Sequence, residues 1–225
     1  MTYSVTLERG TDGTFLAWVD ELPGCAVRAR SRAEVLAELP ESIKAFAAWA
    51  GEAVPEPVEI KVAEEVESAI ATDEDTEVLV GVDRDPLTSE DWAWIHTQLA
   101  RSRAELIDLL GRLGEEELES RRDGSERTLR EEIEHVASVE LMYAMWTFDL
   151  RSPEGLADFA SWTRRAAGER MQELAERGAQ GVTLAEWAGA PRPEEWSPRK
   201  AARRLLWHEL LHLRALERFA RESRD

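Results

Sequence analysis

The stretch "SPRKAARRLLWHELLHLRALERFA", residues 197–220, decides how the second half of this chain is interpreted. It opens with Ser197 and Pro198, residue types that cap and begin helices, and its apolar residues then recur at helical spacing. His208 and His212 lie one helical turn apart, so their side chains share one face and can bind one cation. The stretch therefore predicts a long amphipathic helix that supplies two metal ligands.

The same residues match H-E-x-x-H, the zinc motif of metalloproteases. That motif needs a third ligand downstream, either a histidine after a Gly-x-x spacing or an acidic residue roughly twenty or more positions on. Only 13 residues follow His212, and they contain no Gly-x-x-His. The protease interpretation fails, and Glu209 is expected to be a solvated helix residue that matches the motif by coincidence.

The third ligand must then come from upstream, and the chain has only four histidines. His135 shares a predicted helical stripe with Val139 and Met142, so it can face the same interior as His208 and His212. His96 lies on an earlier helix, and no ligand position is assigned to this histidine. We expect His96 to be a helix residue without a functional role, or to lie next to the metal site or face a substrate. The alternative for all of them is that they are core or surface histidines with no metal.

Helical periodicity runs from residue 88 to the end and predicts a four-helix bundle. Thr128 and Glu131 form a predicted capping box at the start of the second long helix. Between the last two long helices a loop is expected to carry a short helical piece near 184–187. The four long helices are predicted over 89–113, 129–149, 153–176 and 198–220.

The first part of the chain has a different pattern, so the predicted class is α+β. Period-two alternation on both sides of Asp12-Gly13 predicts a β-hairpin. A helix is expected over 32–50, capped by Ser31 and kinked or divided at Pro40. These elements make a domain over 1–66, followed by an acidic linker or edge strand over 67–87. The other predicted strands cover 26–29, 58–62 and 77–82.

Each of the two parts of the chain resembles a known protein family. The stretch "DGTFLAWVDELPGCAVRARSRAEVLAELPESIKAF", residues 12–46, resembles the HicB-like antitoxin domain, which implies a partner-binding or dimerisation module over 1–66. The stretches "TLREEIEHVASVELMYAMW", residues 128–146, and "WSPRKAARRLLWHELLHLRALERF", residues 196–219, look like the DinB superfamily of four-helix metal proteins. That resemblance covers the predicted domain 88–225.

The DinB resemblance implies that His135, His208 and His212 bind a divalent metal with open positions. Zinc is the first expectation for three imidazoles and nickel the second. Members with known activity transfer low-molecular-weight thiols or perform thiol-dependent isomerisation, and others are described as hydrolases. No catalytic residue is assigned, and a non-catalytic binding protein is the alternative. The side chains expected next to the metal or in a substrate pocket are His96, Glu140, Trp146 and Arg214.

Composition limits the partners. The formal charge of −18 disfavours nucleic acid and anionic membrane surfaces, and no apolar run reaches the length of a membrane span. Cys25 is the only cysteine, which excludes an internal disulfide and a cysteine zinc cage. We therefore expect a cytoplasmic protein that acts on a small molecule, with a homodimer as one assembly.

Overall fold

The computed structural model describes residues 2–72, 76, 78–121, 127–144, 156–185 and 193–222. The chain divides into two compact units, the first made of Met1–Leu87 and Ala179–Arg203, the second of Thr88–Gly178 and Arg204–Asp225. The first unit contains a four-stranded sheet and the second is helical. The predicted α+β class is confirmed.

A four-stranded sheet forms the centre of the first unit. The predicted hairpin is confirmed, with Gly13 adopting a positive φ of 80° in its turn. The second strand also pairs antiparallel with the third, and the first pairs parallel with the fourth, giving the order β3-β2-β1-β4. The strands are β1 Thr2–Arg9, β2 Phe15–Val19, β3 Ala26–Ala29 and β4 Glu59–Glu67.

Helix α1, Arg32–Ala50, packs on strands β2 and β3. Ser31 caps it as predicted, since its side chain accepts a hydrogen bond from the Glu34 backbone N–H at 3.3 Å. Of the two outcomes predicted at Pro40, the division is wrong, because α1 continues through this residue, and the kink stays a prediction. Leu39 and Ile43, on either side of it, are fully buried. Their packing outweighs the backbone hydrogen bond that a proline removes.

Two short elements were predicted wrongly. The residues described within 77–82 form no strand, and a 3₁₀ turn covers Gly81–Arg84, where the Asp83 carboxylate accepts a hydrogen bond from the Val80 N–H at 3.0 Å. Leu184 and Ala185, where a helical piece was expected, belong instead to strand β5, Thr183–Ala185, paired antiparallel with β6, Glu194–Trp196, whereas residues 186 and 187 of that prediction lie outside the described residues. A side-chain hydrogen bond in the first place and a strand pairing in the second override a weak local pattern.

A buried ion pair stabilises the first unit. The Arg203 guanidinium donates to both carboxylate oxygens of Asp83, at 2.9 and 2.5 Å, and lies 4.1 Å from the centre of the Trp18 ring. Both side chains of this ion pair are buried. Two charges are buried here because they pair with bidentate geometry.

The second unit is built from helices, and one of them starts at its predicted cap. Thr128 and Glu131 form the expected capping box, with reciprocal bonds of 2.7 and 3.2 Å. The predicted end of the second long helix and the Ser152-Pro153 start of the third lie outside the described residues. The helices are α2 Ser89–Leu110, α3 Glu115–Leu118, α4 Leu129–Ala144, α5 Leu156–Glu176 and α6 Pro198–Glu222, whose last part, from Arg204 on, belongs to this unit.

Candidate metal centre

Three histidines from helices α4 and α6 come together in the second unit. The ring centres of His135 and His208 are 5.3 Å apart, those of His135 and His212 also 5.3 Å, and those of His208 and His212 4.4 Å. One ring nitrogen from each lies within 4.8 Å of the other two. The helical spacing thus places two imidazoles on α6, and the third comes from α4.

The environment of His208 keeps its imidazole neutral. This side chain is buried, whereas His135 and His212 are half-buried. Burial lowers the pKa of His208 well below its usual range, and the neighbouring His212 and Arg204 lower it further. A neutral imidazole keeps a lone pair for a metal, so His208 can serve as a ligand at neutral pH.

Glu132 orients one of these rings. Its Oε1 lies 2.5 Å from His212 Nδ1, and this hydrogen bond lowers the pKa of Glu132 to about 2. The carboxylate is therefore ionised and accepts the Nδ1–H, which leaves Nε2 of His212 for a ligand bond. A carboxylate that fixes a histidine in this way is typical of metal sites. Sequence reasoning missed Glu132, although it lies three residues before His135 on the same helix face.

We expect Glu132→Gln to weaken zinc binding by about 10- to 100-fold, because the amide holds the His212 ring less firmly. Competition with a chromophoric chelator measures the affinity. Glu134→Gln removes the same charge at an exposed position on α4. It serves as the matched control and should leave the zinc affinity unchanged. Equal affinities in both variants would show that Glu132 does not support the site.

Tyr143 and Arg204 lie on the other side of His208. The Tyr143 ring centre is 5.7 Å from that of His208, edge to face, and the Arg204 Nη2 donates to the Tyr143 hydroxyl at 2.6 Å. Arg204 also lies over the Tyr143 ring, 4.9 Å from its centre. The buried His208 ring therefore has the Tyr143 ring as a neighbour in addition to its two partner imidazoles. Tyr143 was missed because it carries no motif.

Of the other predicted site residues, those that the structure describes are not members of the three-histidine cluster. His96 is exposed, 5.6 Å from Trp92, and does not belong to the three-histidine cluster. Arg214 forms ion pairs with Glu105 at 3.2 Å and Glu217 at 2.9 Å. Trp146 lies outside the described residues. Glu140 is buried but pairs with arginines rather than with a histidine.

Glu209 differs most from its prediction. It was expected to be solvated, yet it is fully buried and accepts a hydrogen bond from Ser102 Oγ at 2.7 Å. It also forms ion pairs with Arg103, at 2.9 Å, and with Arg164. Because these partners occupy its carboxylate, Glu209 is not available as the general base of a protease. The structure therefore also argues against the protease interpretation.

The comparison with protein families agrees with this arrangement. A family model of the DinB superfamily matches residues 98–216, more than half of the chain and all three clustered histidines. The chain belongs to the DinB superfamily. Metal binding is typical of DinB proteins, which fits the cluster. No curated protein and no solved structure matches this DinB chain.

The match leaves the first part of the DinB chain outside its range. The HicB-like resemblance of residues 1–66 therefore gains no support from it and stays a prediction. Among the described residues, no helix has the length and apolarity that crossing a bilayer requires.

Proposed function

We propose that this DinB protein binds one divalent cation through His135, His208 and His212 and acts as a metal-dependent enzyme on a small molecule, by low-molecular-weight thiol S-transfer. In this proposal the second unit is a four-helix bundle of the DinB type in a cytoplasmic protein. The observation that carries the proposal is the convergence of three imidazoles beside a glutamate that orients one of them.

The donor set fits a divalent metal with open positions. Three imidazole nitrogens suit zinc first and nickel second. Among the residues that the structure describes, no fourth histidine, cysteine or carboxylate joins the three at the same mutual distance. Catalytic zinc sites have three protein ligands and keep one position for water or substrate, whereas structural sites are closed by four. The ligand count therefore favours a catalytic site.

When bound, the cation would act as a Lewis acid that favours a thiolate over a thiol. The proposed reaction joins the thiol sulfur to an electrophilic carbon of a second substrate. The bond from that carbon to its leaving group breaks, and the thiol proton passes to solvent. In the chain itself, Glu132 holds the His212 ring and the buried surroundings of His208 exclude water from that imidazole.

A shallow cleft next to Glu132 offers a place where part of a substrate could contact the protein. Glu132 contributes to its wall as well as to the hydrogen bond with His212, which links the cleft to the three histidines. Arg127 also lines this cleft, 3.4 Å from Glu132, and most of the other lining side chains are apolar. A mixed apolar and charged lining is typical of small-molecule sites, and we propose that the substrate binds here. The lining residues are Arg127, Thr128, Leu129, Glu132, Ala215, Leu216 and Phe219.

The thiol assay tests this function. Zinc-loaded protein is incubated with cysteine, glutathione, bacillithiol or mycothiol and with 1-chloro-2,4-dinitrobenzene, and the thioether product is followed by absorbance. We expect at least one thiol to react faster than in the protein-free control, and we expect a chelator to abolish the difference because it removes the Lewis acid.

The controls separate the alternative functions. Chelator-sensitive cleavage of an ester panel without thiol transfer would favour a hydrolase. Metal bound at one ion per chain with no turnover of any substrate would favour the non-catalytic alternative, in which the HicB-like part binds a partner or dimerises. Either result would overturn thiol transfer.

A further inference from the structure

Each of the two helices that carry the histidines also contributes one buried glutamate. Glu209 follows His208 directly on α6, and Glu140 lies five residues after His135 on α4. Their exposures are 0% and 1%. Two carboxylates facing one another in a protein interior repel, so α4 and α6 would separate here if nothing lay between them.

Two arginines from the remaining long helices lie between these carboxylates. Arg103 of α2 forms ion pairs with Glu140 at 2.6 Å and with Glu209 at 2.9 Å. Arg164 of α5 contacts the same two carboxylates. Each arginine therefore bridges α4 and α6, and neither contacts one glutamate alone. We call Arg103, Glu140, Arg164 and Glu209 the ionic quartet.

The ionic quartet is balanced and further held by neutral groups. Two positive charges face two negative ones, and burial lowers the pKa of Arg164 only to about 9, so it stays protonated at neutral pH. Ser102 Oγ donates to Glu209 at 2.7 Å, and Thr163 Oγ1 donates to Glu140 at 3.4 Å. Buried ion pairs contribute little net stability compared with apolar packing, but they define one arrangement of their partners. The ionic quartet is therefore more relevant to the arrangement of its helices than to net stability.

We propose that the ionic quartet is a positioning unit for the metal ligands, which sets the spacing between His135 on α4 and His208 and His212 on α6. The proposal rests on the proposed function, since the histidines are metal ligands only under that proposal. Metal–ligand distances tolerate about 0.2 Å, so a small change in the distance between two ligand-bearing helices weakens binding. None of the quartet residues belongs to the three-histidine cluster.

Cobalt titration of the full chain tests the positioning role. Co²⁺ replaces zinc in such sites, and its visible d–d bands report the ligand geometry. We expect Glu209→Gln to weaken Co²⁺ binding by at least about tenfold, in the range for residues that orient ligands, and to change the d–d bands. Ile95→Ala, a cavity variant at a buried position on α2 outside the quartet and about two turns before Arg103, controls for lost stability. It should lower the thermal midpoint of the apoprotein but leave the bands unchanged.

Ser102→Ala covers the case in which Glu209→Gln does not fold, because it removes one hydrogen bond to Glu209 and leaves no charge unpaired. We expect it to change the d–d bands in the same direction, with a smaller loss of affinity. Wild-type bands and affinity in Ser102→Ala and in any folded Glu209→Gln would overturn the positioning role alone. A wild-type chain that binds no Co²⁺ would overturn the proposed metal site, and the positioning role with it.

Discussion

Replacing His208 with alanine is expected to lower the affinity for Zn²⁺ by more than about 100-fold. Residues that only orient a ligand account for about 10- to 100-fold, so the loss of a ligand itself should exceed that range. His208 is the most buried of the three histidines and lies within 4.4 to 5.3 Å of the other two, ring centre to ring centre. Competition with a chromophoric chelator at constant pH measures the change.

His96→Ala is the matched control for this experiment. His96 is also a helix residue of the second unit, but it is exposed and does not belong to the cluster. We expect its replacement to leave zinc affinity unchanged. An affinity of His208→Ala within about twofold of the wild type would exclude His208 as a ligand, because one lost coordinate bond costs more than that.

Asp83→Ala is expected to destabilise the first unit by about 3–5 kcal/mol, the usual cost of removing one partner of a buried ion pair. The change leaves the Arg203 guanidinium buried without the carboxylate that accepts two of its hydrogen bonds. It also removes the acceptor of the Val80 N–H in the 3₁₀ turn. Urea unfolding followed by tryptophan fluorescence measures the effect, since Trp18 lies directly against Arg203.

Two further variants separate charge burial from general disruption. Asp85→Ala removes a carboxylate at an exposed position two residues on, and it should change stability by less than about 0.5 kcal/mol. The double variant Asp83→Ala with Arg203→Met should be more stable than Asp83→Ala alone, because it removes the unpaired charge. Equal stability of the double and the single variant would show that the ion pair is not the source of the loss.

Much of the three-histidine cluster follows from sequence because two of its members obey a local rule. His208 and His212 are one helical turn apart, and a helix must place them on one face. His135 was assigned to the same site from its position in a helical stripe and from the DinB resemblance. The family match supports that resemblance, and the structure brings the three rings together.

The surroundings of the site were not predicted, because they depend on pairings across the chain. Glu209 and Arg103 are 106 positions apart, and periodicity cannot show that a charged residue on one helix will meet its counterion on another. A solvated glutamate was therefore the simplest expectation and was wrong. Glu132 differs from Glu209 in this respect. It lies three residues before His135, and this local spacing could have identified it from the sequence.

In the first unit, the long elements were predictable and the short ones were not. The hairpin and α1 have strong periodicity over many residues and were confirmed. The stretches near 77–82 and 184–187 carry only a few apolar residues each. Their conformations depend on the Asp83 carboxylate and on pairing with β6, neither of which local propensity contains.

The metal content of the protein tests the central claim most directly. Full-length wild type and His135→Ala are purified without chelator, loaded with Zn²⁺, desalted and measured by elemental mass spectrometry against protein concentration. His135 is the sensitive position because it is the one ligand from α4. The account predicts one ion per wild-type chain and almost none in His135→Ala. No metal in the wild type, or the same content in both, would contradict it.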